Sequence, residues 1–189
     1  MKRVLSIQDI SCIGKCSLTV ALPIISAMGI ETSILPTSIL STHTMFNDFT
    51  FRDLTDDMEP IKKHWQKEGF SFDAIYTGYL GSEKQIALVK DYFKTFGNTC
   101  KYIIVDPAMA DNGKLYSGFD KDFPLKMAKL CKYADVILPN ISEAAFMTGM
   151  PYPGENASNE CIKDLLLSLA KLGSKIIVIT GVESADQKF

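Results

Sequence analysis

Along most of this chain, apolar runs of strand length alternate with longer stretches of helical period. Val4 to Ile7 reads as a short buried strand. Ser17 to Met28 (SLTVALPIISAM) reads as a helix closed by Gly29, with a kink at Pro23 allowed by its missing N–H. Glu31 to Leu35 is a strand, Asp57 to Glu68 a polar amphipathic helix, and Asp73 to Tyr76 a strand. Ser82 to Phe96 is a helix with Ser82 as N-cap and Gly97 just past its end. Tyr102 to Val105, Asp135 to Leu138 and Lys175 to Thr180 are further strands. Between them lie helices at Leu125 to Tyr133, at Ser142 to Thr148 with Ser142 as cap, and at Cys161 to Leu172.

Strands that are apolar throughout, rather than alternating, belong to parallel sheets covered on both faces. Strand and helix in turn form βαβ units with right-handed crossovers. The expected fold is therefore α/β: a doubly wound, mainly parallel sheet with helices on both faces. No repeat, low-complexity tract or linker divides the chain, so residues 1–189 are expected to form one domain. Met150 to Asn159 reads as a surface loop within it.

Composition narrows the classes. Apolar residues make up 47% and charged residues 22%, which suits a globular protein and excludes a disordered one. A net charge of −2 gives no basis for binding nucleic acid by counterion release. No apolar run approaches the ~18 residues of a membrane span, and Gln8 and Asp9 interrupt the first apolar run too early for a signal peptide. The expected location is cytoplasmic. Cys12, Cys16, Cys100, Cys131 and Cys161 are scattered and read as reduced thiols rather than zinc ligands.

In a doubly wound sheet, ligands bind beyond the carboxyl ends of the strands. That rule selects Gln8-Asp9, Ser41 to Thr44, Thr77 to Tyr79, Asp106 to Asp111, Asn140 to Glu143 and Thr180-Gly181. Asp106, Asp111 and Glu143 follow successive strands, and carboxylates so placed suit a hydrated Mg²⁺ carrying substrate phosphates. Asp and Asn after a strand also serve as helix caps and turn formers, and both readings stand. Neither GxxxxGK[ST] nor GxGxxG is present, so a nucleotide here is not held in a Walker or Rossmann manner.

Together, LSIQD (5–9), ILSTHT (39–44), YTGYLGS (76–82), VDPAMAD (105–111), LPNISEAAFMTG (138–149) and IVITG (177–181) resemble the pyridoxal kinase branch of the ribokinase-like superfamily over nearly the whole chain. The resemblance implies ATP-dependent phosphorylation of the 5′-hydroxymethyl group of pyridoxal, pyridoxamine or pyridoxine, with Mg²⁺, ATP and a monovalent cation such as K⁺. It implies a homodimer and no nucleic-acid or membrane partner. Carried over by position, Asp9 contacts the pyridine ring, and His43 and Thr44 line the same pocket. Tyr79 closes over the ring. Asp106 lies near the cation and phosphates, Asn140 and Thr180 lie near the phosphates, and Asp111 and Glu143 orient Mg²⁺, mostly through water. His43 as a merely satisfied polar residue, and Tyr79 as a core aromatic, are the plain alternatives.

Two departures from the family pattern matter. Asp9 stands where many B6 kinases have Ser, which implies a preference shifted towards pyridoxamine or the hydroxymethylpyrimidine of thiamin synthesis. The family's GxGD turn, which supplies the anion hole and the catalytic base, occurs nowhere in this sequence. The expectation is an N-terminal two-thirds of such a kinase, inactive alone, with Gly181 to Phe189 a loop that breaks off. An uncovered sheet face would then cost roughly 10 kcal/mol and favour partial unfolding, aggregation, or oligomers that hide it. Two alternatives are a hydroxymethylpyrimidine kinase of the same fold and a non-catalytic ligand-binding protein derived from it.

Overall fold

The computed structural model describes residues 1–154 and 157–182. The expected break at Gly181 to Phe189 falls mostly outside the described residues, as does the middle of the Met150 to Asn159 loop. Two compact units are present, Met1–Ile103 and Ile104–Phe189.

In the first unit, the expected strands and helices form, and several extend beyond the apolar runs that announce them. β1 (Arg3–Ser11) continues through Gln8, Asp9 and Ser11, and β2 (Glu31–Leu40) continues through Thr37 and Ser38. Both strands keep their ladder past the apolar run because they pair with each other in parallel over nearly their whole length. β3 (Phe51–Asp53) is a short antiparallel addition to the end of β2, and three residues are too few for a periodic signal. β4 (Ala74–Thr77) pairs in parallel with β1 on its other side. The order is therefore β3-β2-β1-β4. Helix α1 (Leu18–Ala27) links β1 to β2, and α2 (Thr55–Lys67) lies on the return past β1 to β4. Right-handed crossovers running in opposite directions place α1 and α2 on opposite faces, as expected for a doubly wound sheet.

Leu5, Ile7, Leu35 and Ile75 are fully buried in this sheet. Helix α3 (Glu83–Phe96) packs beside α2 and buries Val89, Tyr92, Phe93 and Phe96. Trp65, Phe72, Tyr92 and Phe96 meet edge to face or tilted, and the Tyr92 hydroxyl donates to Met58 O at 2.7 Å. Burial pushes the pKa of that hydroxyl up, so it stays protonated and keeps donating. Ser82 caps α3, accepting from Gln85 N at 3.2 Å. A 3₁₀ turn at Gly97–Thr99 leads into β5 (Tyr102–Val105), which spans the unit boundary.

In the second unit, β5, β8 (Val136–Ile137) and β9 (Ile176–Ile177) pair in parallel. A small hairpin, β6 (Ala110–Asp111) and β7 (Lys114–Leu115), follows β5 and has no counterpart in the sequence reading. Helix α4 (Phe123–Cys131) and α5 (Ile141–Thr148) pack on each other, as do α5 and α6 (Asn159–Ala170). The α5 cap is Asn140 rather than Ser142, because the Asn140 side chain accepts from Glu143 N while Glu143 reaches back to Asn140 N. Likewise Ser158 caps α6, which starts before Cys161.

Candidate active site

In the first unit the polar groups gather where β1 and β4, the strands flanking the change of winding direction, reach their carboxyl ends. Asp9 is 5% exposed. Its Oδ2 accepts from Ser11 Oγ at 3.3 Å, whereas Oδ1 is buried without a partner among the described residues. Burial raises the Asp9 pKa above the ordinary carboxylate range, and the nearby Ser17 and Ser11 hydroxyls act in the opposite sense. Tyr79 is half-buried at the end of β4; burial and the charge of Asp9 both raise its pKa, so the two residues share one electrostatic environment. The ladder pairs Ile7 with Thr77, and the register beyond the β2 bulge sets Ser38 beside Asp9. Thr77 Oγ1 and Ser38 Oγ are likewise buried and unpartnered among the described residues. By alternation, Thr77, Asp9, Ser11 and Ser38 share one face of the sheet.

His43 lies on the segment after β2. Its Nδ1 accepts from Met45 N at 3.3 Å, so the neutral ring carries its proton on Nε2 and offers a donor there. The His43 backbone N donates to Ile13 O, and the ring tilts against Phe46 at 4.8 Å. Gly14 has φ +119°, and any Cβ there would overlap the His43 ring. Only glycine permits that approach between the loop after β1 and the loop after β2. Thr44 is exposed on the same segment. Below the site, buried Gln85 accepts from Gly81 N and donates to Thr37 O, Asp53 and Thr55, holding the ends of β2 and β4 to α3.

In the second unit, the first turn of α5 clasps the β6–β7 hairpin. Glu143 Oε1 accepts from Met109 N at 3.1 Å and Oε2 from Asn140 N at 2.8 Å. Asn140 Nδ2 donates to Ala110 O at 2.7 Å, and Gly113 N donates to Ser142 Oγ at 2.8 Å. Tyr152 covers Gly113 so closely that a Cβ would sit 2.5 Å from its ring. Asp111 thus stands on the hairpin that Glu143 holds, exposed, with its carboxylate accepting from Asn112 N at 2.9 Å. Burial, helped by the charge of Asp106, pushes the Glu143 pKa up to about 8, while its backbone N–H bonds pull the other way. The same burial and the charges of Glu143 and Asp106 push the nearby Cys131 thiol up to about 12. Thr180 is exposed beyond β9, its N donating to Pro139 O at 2.9 Å and its backbone bridged to Asn140.

The structure therefore links Asp9 with Tyr79, and links Asp106, Asp111, Asn140 and Glu143 around α5, with Thr180 beside Asn140. Thr77 is among the strand-end residues selected from the sequence, whereas Ser11, Ser17 and Ser38 are not, although each interrupts or adjoins an apolar run. Among the described residues, no three His, Cys, Asp or Glu side chains gather closely enough to enclose a metal. A hydrated Mg²⁺ needs fewer, because it retains water and takes phosphate oxygens.

A doubly wound, mainly parallel sheet with polar groups massed at its strand ends is the architecture of an α/β protein that takes a small ligand beyond its strands. The chain belongs to the phosphomethylpyrimidine kinase family, which matches residues 31–189. A crystal structure from Bacteroides thetaiotaomicron, assigned as a phosphomethylpyrimidine kinase and containing pyridoxal, superposes with a TM-score of 0.92 at 41% identity, over 98% of this chain and 65% of that one. Pyridoxal kinase from Lactobacillus plantarum gives 0.89 at 36% identity, over 99% and 66%. The pyridoxal kinase PdxY of Actinobacillus pleuropneumoniae is 26% identical over 88% of this chain and 60% of its own length. The chain spans 36% to 60% of the length of three curated pyridoxal kinase relatives that it matches.

Proposed function

We propose that the protein serves the ATP-dependent phosphorylation of a hydroxymethyl group on a small nitrogen heterocycle, with the vitamin B6 alcohols pyridoxal, pyridoxamine and pyridoxine as its substrates. The observation that carries this reading is the buried, unpartnered Oδ1 of Asp9 beside Tyr79. A buried carboxylate oxygen is costly unless a donor meets it. A protonated pyridine nitrogen or an amino group on the ligand is such a donor. His43, through Nε2–H, and Thr44 supply hydrogen bonds to ring substituents, and Tyr79 supplies an apolar cover.

In this reading the second unit serves the phosphates. Asp106, Asn140 and Thr180 are assigned to the nucleotide phosphates and a monovalent cation such as K⁺. Asp111 has its carboxylate exposed and suits a hydrated Mg²⁺. Both oxygens of Glu143 are engaged by backbone N–H groups, so its contact to a metal runs through water and through the hairpin that it holds. Bound Mg²⁺ supplies charge neutralisation for the transferring phosphoryl group. The proton acceptor for the alcohol is not assigned to any of these 189 residues, which contain no GxGD.

The family match to phosphomethylpyrimidine kinase favours one further reading, a hydroxymethylpyrimidine kinase, in which Asp9 accepts from the aminopyrimidine. Calorimetric titration with pyridoxal, pyridoxamine and hydroxymethylpyrimidine, paired with phosphoryl-transfer assays using ATP, separates these readings. Binding of B6 alcohols ahead of the pyrimidine is expected. Failure to bind any of the three removes both kinase readings, and ATP turnover dependent on any of these alcohols removes the non-catalytic one.

A further inference from the structure

Ser17 stands directly before α1, where a serine ordinarily caps a helix by accepting a backbone N–H. Ser82, Asn140 and Ser158 do this for α3, α5 and α6. Ser17 does not. Its side chain makes no cap bond, and only its carbonyl oxygen serves α1, accepting from Val20 N and Ala21 N. Its backbone is held at φ 52° and ψ −129°. Those angles are close to the first central position of a type II′ turn, which glycine fills because a Cβ is strained there. A strained residue persists only where its surroundings require it, and such residues gather at functional sites.

The requirement lies at Asp9. Ser17 bridges to Ile10, the residue next to Asp9, across residues 11–16. Its hydroxyl is foremost among the groups that oppose the effect of burial on the Asp9 carboxyl. We propose that Ser17 is a positioning residue, whose hydroxyl is the fixed donor that orients the Asp9 carboxylate and leaves Oδ1 to the ligand. This deepens the reading that Asp9 meets a nitrogen donor of the substrate, and rests on it. Ser11 alone, at 3.3 Å from Oδ2, is a weak hold on a buried charge. Glycine at residue 17 would relieve the backbone and supply no donor, whereas serine keeps the donor and bears the strain. Few charges compete for this role. Helix α1 and β4 carry no charged residue, and Arg3 of β1 pairs with Glu31 of β2 at the opposite strand ends. Tyr79 follows β4 beside Asp9, and Lys15 and His43 lie on the loops after β1 and β2.

Carboxyl-carbon NMR, with the Asp9 signal assigned by its loss in Asp9→Asn, follows this carboxyl without any ligand. Ser17→Ala and Ser17→Gly should both move the Asp9 midpoint to higher pH, because each removes the donor and leaves the burial. Ser17→Gly should resist more urea than Ser17→Ala, because only alanine keeps a Cβ at positive φ. Calorimetry with pyridoxamine at neutral pH should show affinity falling roughly 10-fold in both variants, the effect of one bond to a charged group. The pH below which that affinity declines should rise with the Asp9 midpoint. In an Asp9→Asn background, Ser17→Gly should change the affinity no further. A midpoint unmoved in both variants, or an equal loss of affinity with and without the Asp9 carboxyl, overturns the proposal. If neither variant folds, Ser17 is structural and the proposal falls. A parent that binds none of the B6 alcohols removes the kinase reading and leaves the ligand-free midpoints to decide the role of Ser17.

Discussion

Asp9 combines a deeply buried carboxyl, one orphan oxygen and a raised pKa, and each has a measurable consequence. Its folded pKa lies above the ordinary value, so the native state binds a proton more readily than the unfolded chain does. The contribution to stability is fully present below the ordinary value of 3.8 and is lost as pH rises through the folded value. Asp9→Asn should therefore raise the urea midpoint at pH 7, and that advantage should vanish as the pH approaches 3.8. A midpoint difference that does not change with pH would show that the carboxyl is not desolvated as described. For ligands the expectation is opposite. Asp9→Ser removes a charge-assisted acceptor worth about 1.5–3 kcal/mol, so affinity for pyridoxamine should fall roughly 10- to 100-fold relative to pyridoxal. Equal losses for both ligands would dissociate Asp9 from ring or amine recognition.

At the scale of elements, two junctions hold the strand ends in place. Gln85 on α3 satisfies Gly81 N, Thr37 O, Asp53 and Thr55 from a single buried amide. Gln85→Ala leaves several of these groups unmet and should cost about 2–4 kcal/mol, read from chemical denaturation. The Asn140–Glu143 capping box does the same for α5 and the β6–β7 hairpin. Asn140→Ala should cost about 1 kcal/mol through the lost cap. It should also speed amide exchange at Met109 to Gly113, because the bond to Ala110 O goes with it. Unchanged exchange in the hairpin would show that Glu143 alone holds it. Ser82 was readable as the α3 cap because a hydroxyl directly precedes a clear helical period. Asn140 and Ser142 both precede the α5 period, and only their backbone geometry separates cap from helix interior.

At the scale of the molecule, a ligand that binds only the folded chain stabilises it by mass action. At about 100 times its dissociation constant, pyridoxal should add ~2.7 kcal/mol, visible as a rise in Tm that grows with ligand concentration. No shift with any B6 alcohol would argue that the strand-end groups of the first unit do not form a binding site. The alternation of apolar runs and helical periods was enough to read a doubly wound α/β fold, because burial on both faces leaves a local and repetitive signature. The residues at the strand ends could be picked out for the same reason, as the first polar positions after each run. Tertiary structure alone decided which of them are buried, which are engaged and which lack a partner. β3 and the β6–β7 hairpin exist through pairing with distant or neighbouring strands and are too short to carry a period. Glu143 is committed to backbone N–H groups from Met109 and Asn140, and Asp9 is left with one oxygen unmet. Hydrophobic patterning is a property of neighbours in the chain, whereas hydrogen-bond partnership is a property of neighbours in space.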